Sequence, residues 1–251
     1  MSGHSKWATT KHKKGALDKA RGKLYAKIIR QVEVAAREGG GDLDGNPTLR
    51  TMFQKARDSS VPMETIERAI KRGTGELEGV RYEPVVYEGY APCGVAVIVE
   101  CLTDNRNRTG ADIRAIFSKN GGSMAEPGAV SWQFERKGAI SLPHDAKLTE
   151  DDLMLVAAEA GADDVRDNGD AWEVVTPPKE LAAVRDALEA NGWKPSSAEL
   201  VMLPAQTVAI ASENDARKVL RLMDLLDDHD DVQNVWSNFD IPDSVMELVE
   251  V

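Results

Sequence analysis

The chain has 251 residues, 42% of them hydrophobic and 29% charged, which is the composition of folded water-soluble proteins rather than of disordered ones. That length allows two or three domains, and the longest aliphatic run, residues 95–99, is far too short to cross a bilayer. Two cysteines, Cys93 and Cys101, cannot build a disulfide framework, and no apolar stretch follows the N-terminal charges as in a secretory signal. We therefore expect a cytoplasmic protein without a membrane partner.

The formal net charge of -11 is divided unequally along the chain. Residues 1–80 carry 16 Lys and Arg against 10 Asp and Glu, whereas residues 81–251 carry 15 against 32. Residues 1–30 alone contain nine basic residues and a single acid, Asp18. Because local charge asymmetry is a better guide to partners than the total, the N-terminal part predicts a polyanionic partner.

A basic arm and an amphipathic helix open the chain. The first fifteen residues, MSGHSKWATTKHKKG, are polar and basic with one aromatic side chain, and Ala16 to about Arg37 has helical periodicity. Apolar residues fall on one side of this helix, and the three glycines at 39–41 end it. The opposite side carries a row of cations: Lys19, Lys23, Lys27 and Arg30.

Two further helices complete a small N-terminal unit. Asn46 and Pro47 predict a capped helix start, and that helix runs to about Asp58. A third helix starts near Pro62, with Gly73 as its expected C-terminal stop. The Gly-rich GTGELEG stretch after it is typical of a linker. Residues 1–79 are thus predicted to form a basic helical domain.

Strand and helix patterns alternate through the rest of the chain. Following hydrophobic periodicity and turn residues, we predict these elements in order: strands at 85–90 and 94–102, a helix at 106–119, strands at 130–134 and 138–142, a helix at 150–160, strands at 163–167 and 171–176, a helix at 178–190, strands at 196–203 and 207–211, a helix at 215–227 and a strand at 232–236.

This order predicts an α+β protein with an N-terminal three-helix domain followed by two ferredoxin-like α/β domains, one inserted into the other. Residues 138–203 read β-α-β-β-α-β, a complete ferredoxin-like unit, while the flanking pieces 94–135 and 206–237 each read β-α-β. The predicted domains are 1–79, the discontinuous 80–136 plus 205–251, and the inserted 137–204. The alternative is one larger α+β domain after the helices.

The basic N-terminal segment is the first candidate site. Its cations suit phosphate contacts, which give affinity that is independent of base sequence and strongly dependent on salt. Trp7 and His12, placed among the lysines, suit stacking on unpaired bases. The alternative is a solvated lysine-rich helix face. The candidate nucleic-acid-binding residues are Lys6, Trp7, Lys11, His12, Lys13, Lys14, Lys19, Lys23, Lys27 and Arg30.

A second candidate anion site lies where a predicted strand meets the helix at 106–119. Asn105, Arg106 and Arg108 stand at the helix start, where free backbone N–H groups and guanidinium groups attract phosphate. The alternative is ordinary helix capping, with the arginines paired to acids of their own domain.

Metal, cofactor and catalytic signatures are missing from the sequence. His4 and His12 have no neighbouring cluster of Cys or carboxylate at ligand spacing, and His144 and His229 do not supply one. Neither a phosphate-loop motif nor a nucleophile elbow occurs. The acidic run at 227–231 suits a hard cation or, as the more ordinary alternative, a solvated turn. We expect no cofactor, no resident metal, no catalytic residues and no small-molecule substrate.

Several longer segments resemble the YebC/PmpR-type probable transcriptional regulators, whose organellar relatives are translational activators of cytochrome c oxidase. The matching segments are GHSKWATTKHKKG, DGNPTLR, IERAIKRGTGEL, YEGYAPCGVAVIVECLTDNRNRT and IFSKNGGSMAEPGAVSWQFERKG. The resemblance implies three domains, a helical one and two α/β ones, and a role in gene expression through DNA or RNA. Since the GHSKW segment starts at Gly3 and leaves no room for an organellar presequence, we expect a bacterial cytoplasmic location. Cys93 and Ala125 stand where this family usually has glycine, and Thr9-Thr10 replaces a more typical Asn-Ile.

Three classes of function follow. The first is a DNA-binding transcriptional regulator, as the resemblance implies. The second is a ribosome-associated translation factor that contacts ribosomal or transfer RNA with the same arm. The third is an enzyme with a ferredoxin-like active site, against which stands the lack of convergent catalytic residues.

Overall fold

The computed structural model describes residues 17–144, 148–169 and 171–249, with side chains from residue 22 onward. Its first part is helical and contains α1 (Leu17–Gly39), α2 (Pro47–Asp58) and α3 (Met63–Thr74). Asn46 caps α2 as predicted, since its side chain accepts a hydrogen bond from the Leu49 N–H. The three helices share an apolar core that includes Ile28, Leu49 and Ile66.

The predicted end of α3 is wrong. The helix continues through Gly73 and is capped by Gly75, which has a φ of +85°. Gly73 is buried against α1, where an added Cβ would overlap the Glu33 carbonyl oxygen and lie 2.7 Å from the Ala36 Cβ. The glycine at position 73 therefore permits a close helix contact, and the left-handed cap comes two residues later.

The remaining elements alternate as the periodicity predicts. In chain order they are β1 (Glu83–Tyr90), β2 (Ala96–Thr103), α4 (Arg106–Lys119), β3 (Ser123–Ala125), β4 (Phe134–Pro143), α5 (Glu150–Glu159), β5 (Asp164–Asp167), β6 (Ala171–Thr176), α6 (Leu181–Ala190), β7 (Ser197–Pro204), β8 (Val208–Ala209), α7 (Glu213–Asp227), β9 (Val232–Ser237), β10 (Phe239–Asp240) and α8 (Asp243–Val249).

Strands β4 to β7 form the inserted ferredoxin-like domain. Their sheet has the order β5-β6-β4-β7, and each neighbouring pair is antiparallel. Helices α5 and α6 pack on this sheet around an apolar core that includes Ile140, Leu153 and Leu188. The β-α-β-β-α-β order predicted for this stretch is therefore observed.

The sheet of the discontinuous domain also has four antiparallel strands, but its strands follow one another along the chain in a different order from those of the inserted domain. Its sheet runs β3-β1-β2-β9, so β1 occupies the place that the prediction gave to residues 207–211. Strand β8 instead pairs in parallel with β10 in a separate two-stranded sheet. The prediction of two symmetric β-α-β halves is thus wrong, because a tight turn folds β1 directly onto β2. The α+β class with one ferredoxin-like domain inserted into the other is confirmed, while the domain bounds given above stay a prediction.

The prediction of a strand at 130–134 is also wrong, because backbone N–H groups there donate hydrogen bonds to a buried carboxylate instead of to a neighbouring strand. The Glu88 side chain accepts hydrogen bonds from the N–H groups of Gly128, Val130 and Ser131, at 2.7–2.9 Å. Burial opposes the ionised form, yet these bonds lower the pKa of Glu88 below its ordinary value. Residues 131–133 form a short 3₁₀ turn, and β4 begins only at Phe134.

The apolar clusters show how the domains are joined. A small cluster containing Ile98, Val130 and Phe134 is joined by Met202, so it links the two α/β domains. Among the described residues, no apolar cluster links the N-terminal helices to either α/β domain. The described part of the chain also contains no helix long and apolar enough to span a membrane.

Candidate nucleic-acid interface

The predicted binding residues divide into those the structure describes and those it does not. Lys6, Trp7, Lys11, His12, Lys13 and Lys14 lie outside the described residues, and Lys19 belongs to α1 without a described side chain. Lys23, Lys27 and Arg30 are described in full. We call these three the basic stripe.

The basic stripe lies on the face of α1 opposite the helical core. Ile28, Val32 and Ala35 are buried among the helices, as the amphipathic pattern predicts. The opposite face is covered as well, by a segment about 200 residues away in sequence. This segment is Asp227-Asp228-His229-Asp230-Asp231, which connects α7 to β9 and is called the acidic turn below.

Each cation of the basic stripe meets a backbone carbonyl and a carboxylate of the acidic turn. The Lys23 ammonium donates to the Asp228 carbonyl at 3.1 Å and pairs with the Asp228 carboxylate. The Lys27 ammonium donates to the Asp227 carbonyl at 2.6 Å and lies 3.3 Å from the Asp227 carboxylate.

Arg30 continues the same pattern. Its guanidinium donates to the Asp230 carbonyl, lies 3.3 Å from the Asp231 carboxylate and stacks over the Tyr82 ring at 5.1 Å from the centroid. The contact also suits the dipole of α7, because cations are favoured beside the carbonyl groups at a helix C-terminus. The acidic turn is therefore a docking point for α1, and its interpretation as a wholly solvated turn is wrong.

Asp231 anchors the acidic turn to its own domain. Its Oδ2 accepts hydrogen bonds from the Arg108 guanidinium at 2.8 Å and from the Thr109 hydroxyl at 2.7 Å. Its side chain is only 5% exposed. Burial opposes its ionisation, but the bonds from Arg108 and Thr109 hold the pKa of Asp231 below its ordinary value.

The second candidate site carries the capping and pairing that the sequence offered as the alternative. Asn105 caps α4, because its side chain accepts from the Arg108 N–H. The Arg108 guanidinium is shared between Asp104 and Asp231, each at 2.8 Å. Arg106 lies 3.9 Å from Glu83. Anion binding at Asn105, Arg106 and Arg108 stays a prediction.

A charged cleft of about 580 Å³ opens between α1 and the discontinuous domain. Cations of α1 and charged side chains of the discontinuous domain line it, with one tyrosine and one histidine: Lys23, Arg30, Tyr82, Asp104, Arg108, Asp112, Asp228, His229, Asp230 and Asp231. Within the described residues, no cluster of His, Cys, Asp and Glu has the geometry to hold a metal ion.

The two cysteines have different environments. Cys101 is buried in β2, and burial raises the pKa of its thiol to about 12, which keeps it protonated. Cys93 is exposed in the turn between β1 and β2, and its φ of +65° is left-handed. Glycine adopts that conformation without strain, which agrees with the resemblance that places glycine at this position.

Two family models match this chain. The model described as the TACO1/YebC protein N-terminal domain matches residues 5–76, and the model described as the TACO1/YebC second and third domain matches residues 82–239. The chain belongs to the TACO1/YebC family. The resemblance predicted from its motifs is thereby confirmed.

Similar proteins match over nearly their full length. A relative from Thermobifida fusca named "Probable transcriptional regulatory protein" is 56% identical over 247 residues, covering 98% of each chain. A relative of the same name from Mycobacterium tuberculosis is 54% identical over 251 residues, covering 100% of this chain and 99% of the relative. The crystal structure of a conserved hypothetical protein from Aquifex aeolicus, 46% identical, covers 90% of this chain and 93% of its own at a TM-score of 0.82.

Proposed function

We propose that this protein is a regulator of transcription that binds duplex DNA through phosphate contacts of its basic N-terminal segment. The charge division carries the proposal, since residues 1–30 hold nine basic residues and one acid in a chain of net charge -11. A local cationic excess of this kind attracts polyanions even when the whole protein repels them. The name of the relatives from Thermobifida fusca and Mycobacterium tuberculosis supports the regulatory role.

The helical domain offers little for reading bases. The exposed face of α3 carries Glu64 and Glu67 beside Arg68 and Lys71, and Arg68 is paired with Glu64. Carboxylates on that face oppose close approach to a phosphate groove, so α3 is a poor recognition helix. We infer contacts that are dominated by phosphate and depend weakly on base sequence.

Salt dependence of binding tests the proposal. The variant Lys11→Ala, Lys13→Ala, Lys14→Ala should flatten the plot of log affinity for duplex DNA against log salt by up to about 0.9 for each phosphate that the arm no longer neutralises. A matched control is Lys119→Ala, Lys179→Ala, Lys194→Ala, since these three lysines are exposed on the α/β domains. An arm variant with an unchanged slope, or a control variant with the same change, contradicts the proposal.

The type of nucleic acid is tested separately. At the same salt concentration we expect tighter binding to duplex DNA than to single-stranded RNA of equal length, with fluorescence anisotropy as the measurement. Sedimentation of a cell lysate through sucrose gives the second readout. Tighter RNA binding, together with migration alongside ribosomes after the DNA is digested, would replace the transcriptional role with a translational one.

A further inference from the structure

We propose that the acidic turn is an internal competitor of nucleic acid, which covers the basic stripe until the helical domain moves away and exposes it to phosphate. The inference rests on the proposed function and adds the regulation of that same basic segment. Lys23, Lys27 and Arg30 would then form a second phosphate-binding surface that the closed protein keeps occupied.

The contact geometry imitates a phosphate backbone. Each of the three cations binds a carbonyl oxygen and a carboxylate oxygen of the acidic turn. A nucleic-acid strand likewise presents anionic oxygens at regular intervals. From Lys23 to Arg30 the helix rises by roughly 10 Å, about three base-pair steps of a duplex. Phosphates and the acidic turn therefore compete for the same donor atoms.

The turn covers the cations unequally. The side chain of Lys27 is 14% exposed and that of Arg30 is 21% exposed, so the turn leaves little of either cation open to a phosphate. Lys23 is 34% exposed, and its partner Asp228 is 72% exposed. Because solvent reaches the Lys23 end most easily, displacement of the turn starts there, beside the part of α1 that leads into the basic arm.

The joint between the helical domain and the α/β domains has the polar chemistry of an interface that can open reversibly. Among the described residues it lacks a shared apolar cluster, and its contacts are polar, with ion pairs and with hydrogen bonds from the basic stripe to carbonyl groups. The outer pairs of this joint, such as Lys23 with Asp228, are partly exposed, and such pairs are individually weak and are screened by salt. A polyanion already bound to the arm stands at high local concentration and can displace them.

Opening would extend one continuous binding surface. Lys19 belongs to the same helix one turn before Lys23, and the arm lysines precede it in the chain. The closed protein would bind nucleic acid through the arm alone, whereas the open protein adds the basic stripe. Apparent affinity then depends on the open fraction, because the measured dissociation constant equals the intrinsic one divided by the fraction of competent molecules.

Neutralising the acidic turn without changing its shape tests the inference. The turn variant is Asp227→Asn, Asp228→Asn, Asp230→Asn, and it leaves the buried anchor Asp231 in place. The control variant, Asp151→Asn, Glu159→Gln, Asp186→Asn, removes the same charge from exposed positions on α5 and α6. The probes are a labelled duplex DNA and a labelled single-stranded RNA, both of about 20 nucleotides per strand, a length that offers several phosphates to the stripe.

We expect the turn variant to bind duplex DNA about tenfold more tightly than the control variant, since it removes the ion pairs of Lys23 and Lys27, which together amount to about one tenfold step. Adding Lys27→Ala should cost about tenfold in the turn variant but less than about twofold in the otherwise unchanged chain, where Lys27 is already occupied. Circular-dichroism melting of each variant verifies that it is folded.

The outcomes separate the two proposals. Binding by the unchanged chain with equal affinities of the turn and control variants would overturn the inference and leave the proposed function standing. An equal cost of Lys27→Ala in both backgrounds would do the same. Binding of neither probe by any variant would overturn both proposals. The same pattern of effects on RNA alone would uphold the inference while replacing duplex DNA as the partner.

Discussion

Cys93 occupies a backbone conformation that costs free energy for any residue with a Cβ atom. Its φ of +65° and ψ of +15° lie in the left-handed region, in the turn that joins β1 to β2. Gly94 follows with a φ of +75°, so two consecutive left-handed residues make the turn. A side chain in this region suffers a close contact with the backbone, whereas glycine does not.

Cys93→Gly should therefore stabilise the protein. We expect the free energy of unfolding to rise by about 1 kcal/mol, as judged by urea denaturation monitored with circular dichroism. Cys93→Ala is the matched control, because it removes the thiol but keeps the Cβ atom and hence the strain. If both variants changed stability equally, the effect would belong to the thiol and the strain argument would be wrong.

Asp231 joins the acidic turn to β2 and α4. The Asp231 carboxylate accepts from Arg108 and Thr109, and its backbone carbonyl accepts from the Leu102 N–H at 2.8 Å. Hydrogen bonds to a charged and nearly buried group are among the stronger ones in a protein. The acidic turn is thus anchored by the buried Asp231, while Asp228 and Asp230 within it are exposed.

Asp231→Asn should destabilise the fold by about 2 kcal/mol at neutral pH, the scale of a hydrogen bond to a charged group. The folded pKa of Asp231 is lowered, so its contribution is present above the unfolded pKa near 4 and is lost as pH falls through the folded pKa. Urea unfolding at a series of pH values should show the two proteins converge below about pH 4. Asp104→Asn, which removes the other and more exposed partner of Arg108, should cost less than half as much. A constant difference across that range would contradict the assignment.

Contact between α1 and α3 depends on a residue without a side chain. Gly73 lies in the last turn of α3, and within a helix glycine is less favourable than alanine by up to about 1 kcal/mol. At this position the gain in helix propensity is outweighed, because an added methyl group overlaps the Glu33 carbonyl oxygen of α1. The same α1 segment holds the buried Glu33 carboxylate between Arg37 and Arg72.

Two alanine substitutions at helical glycines should therefore have opposite signs. Gly73→Ala should lower the free energy of unfolding by about 2 kcal/mol through overpacking. Gly22→Ala should raise it by a few tenths to about 1 kcal/mol, since nothing lies within 4 Å of a Cβ at that position of α1. Thermal unfolding followed by circular dichroism measures both. Stabilisation by Gly73→Ala would show that the two helices separate freely.

Elements with local signals were predictable from the sequence. Asn46 before Pro47 marks the start of α2, Asn105 marks the start of α4, and the glycines at 39–41 mark the end of α1. Each of these signals acts within one helical turn, so nearby residues are enough to define it. The inserted domain was predictable for the same reason, since its strands and helices follow one another in order.

Elements fixed by distant residues were not predictable. Val130 is apolar and fully buried like a strand residue. Its N–H, however, donates a hydrogen bond to the carboxylate of Glu88, 42 positions earlier, and not to a neighbouring strand. Strand β1 enters the centre of a sheet that the periodicity assigned to later segments. The residues near a buried N–H indicate that it needs a hydrogen-bond acceptor but not which distant group supplies it, so such pairings could not be predicted from the local sequence.

The candidate site was also predictable only in part: its cations were predicted and their partners were not. The wheel of α1 predicted Lys23, Lys27 and Arg30 on one face, and the structure places them there. Their partners lie about 200 positions away in a run of acids whose ordinary interpretation is a solvated turn. Opposite charge was the one signal that could have joined the two segments, but it does not choose among the 42 Asp and Glu of the chain.

The domains of the protein meet at two interfaces of different chemistry, one apolar and one ionic. Met202 of the inserted domain packs with Ile98 and Phe134, and the chain runs directly into β4, so the two α/β domains are held by apolar contact. The helical domain is held by ion pairs, including Lys55 with Glu199 and Arg185 with Asp58. Interfaces of the second type respond to ionic strength far more than apolar ones do.

Salt should therefore loosen the helical domain while the α/β domains stay together. Raising NaCl from about 0.05 M to about 1 M shortens the Debye length from more than 10 Å to about 3 Å, which removes most of the attraction between partly exposed charges. We expect small-angle X-ray scattering to show a larger radius of gyration at high salt, with unchanged helix content by circular dichroism. The turn variant Asp227→Asn, Asp228→Asn, Asp230→Asn should reach the larger radius already at low salt. A radius that is independent of salt in both proteins would mean that the basic stripe and the acidic turn form a permanent contact, because weak ion pairs alone cannot hold two domains together at that ionic strength.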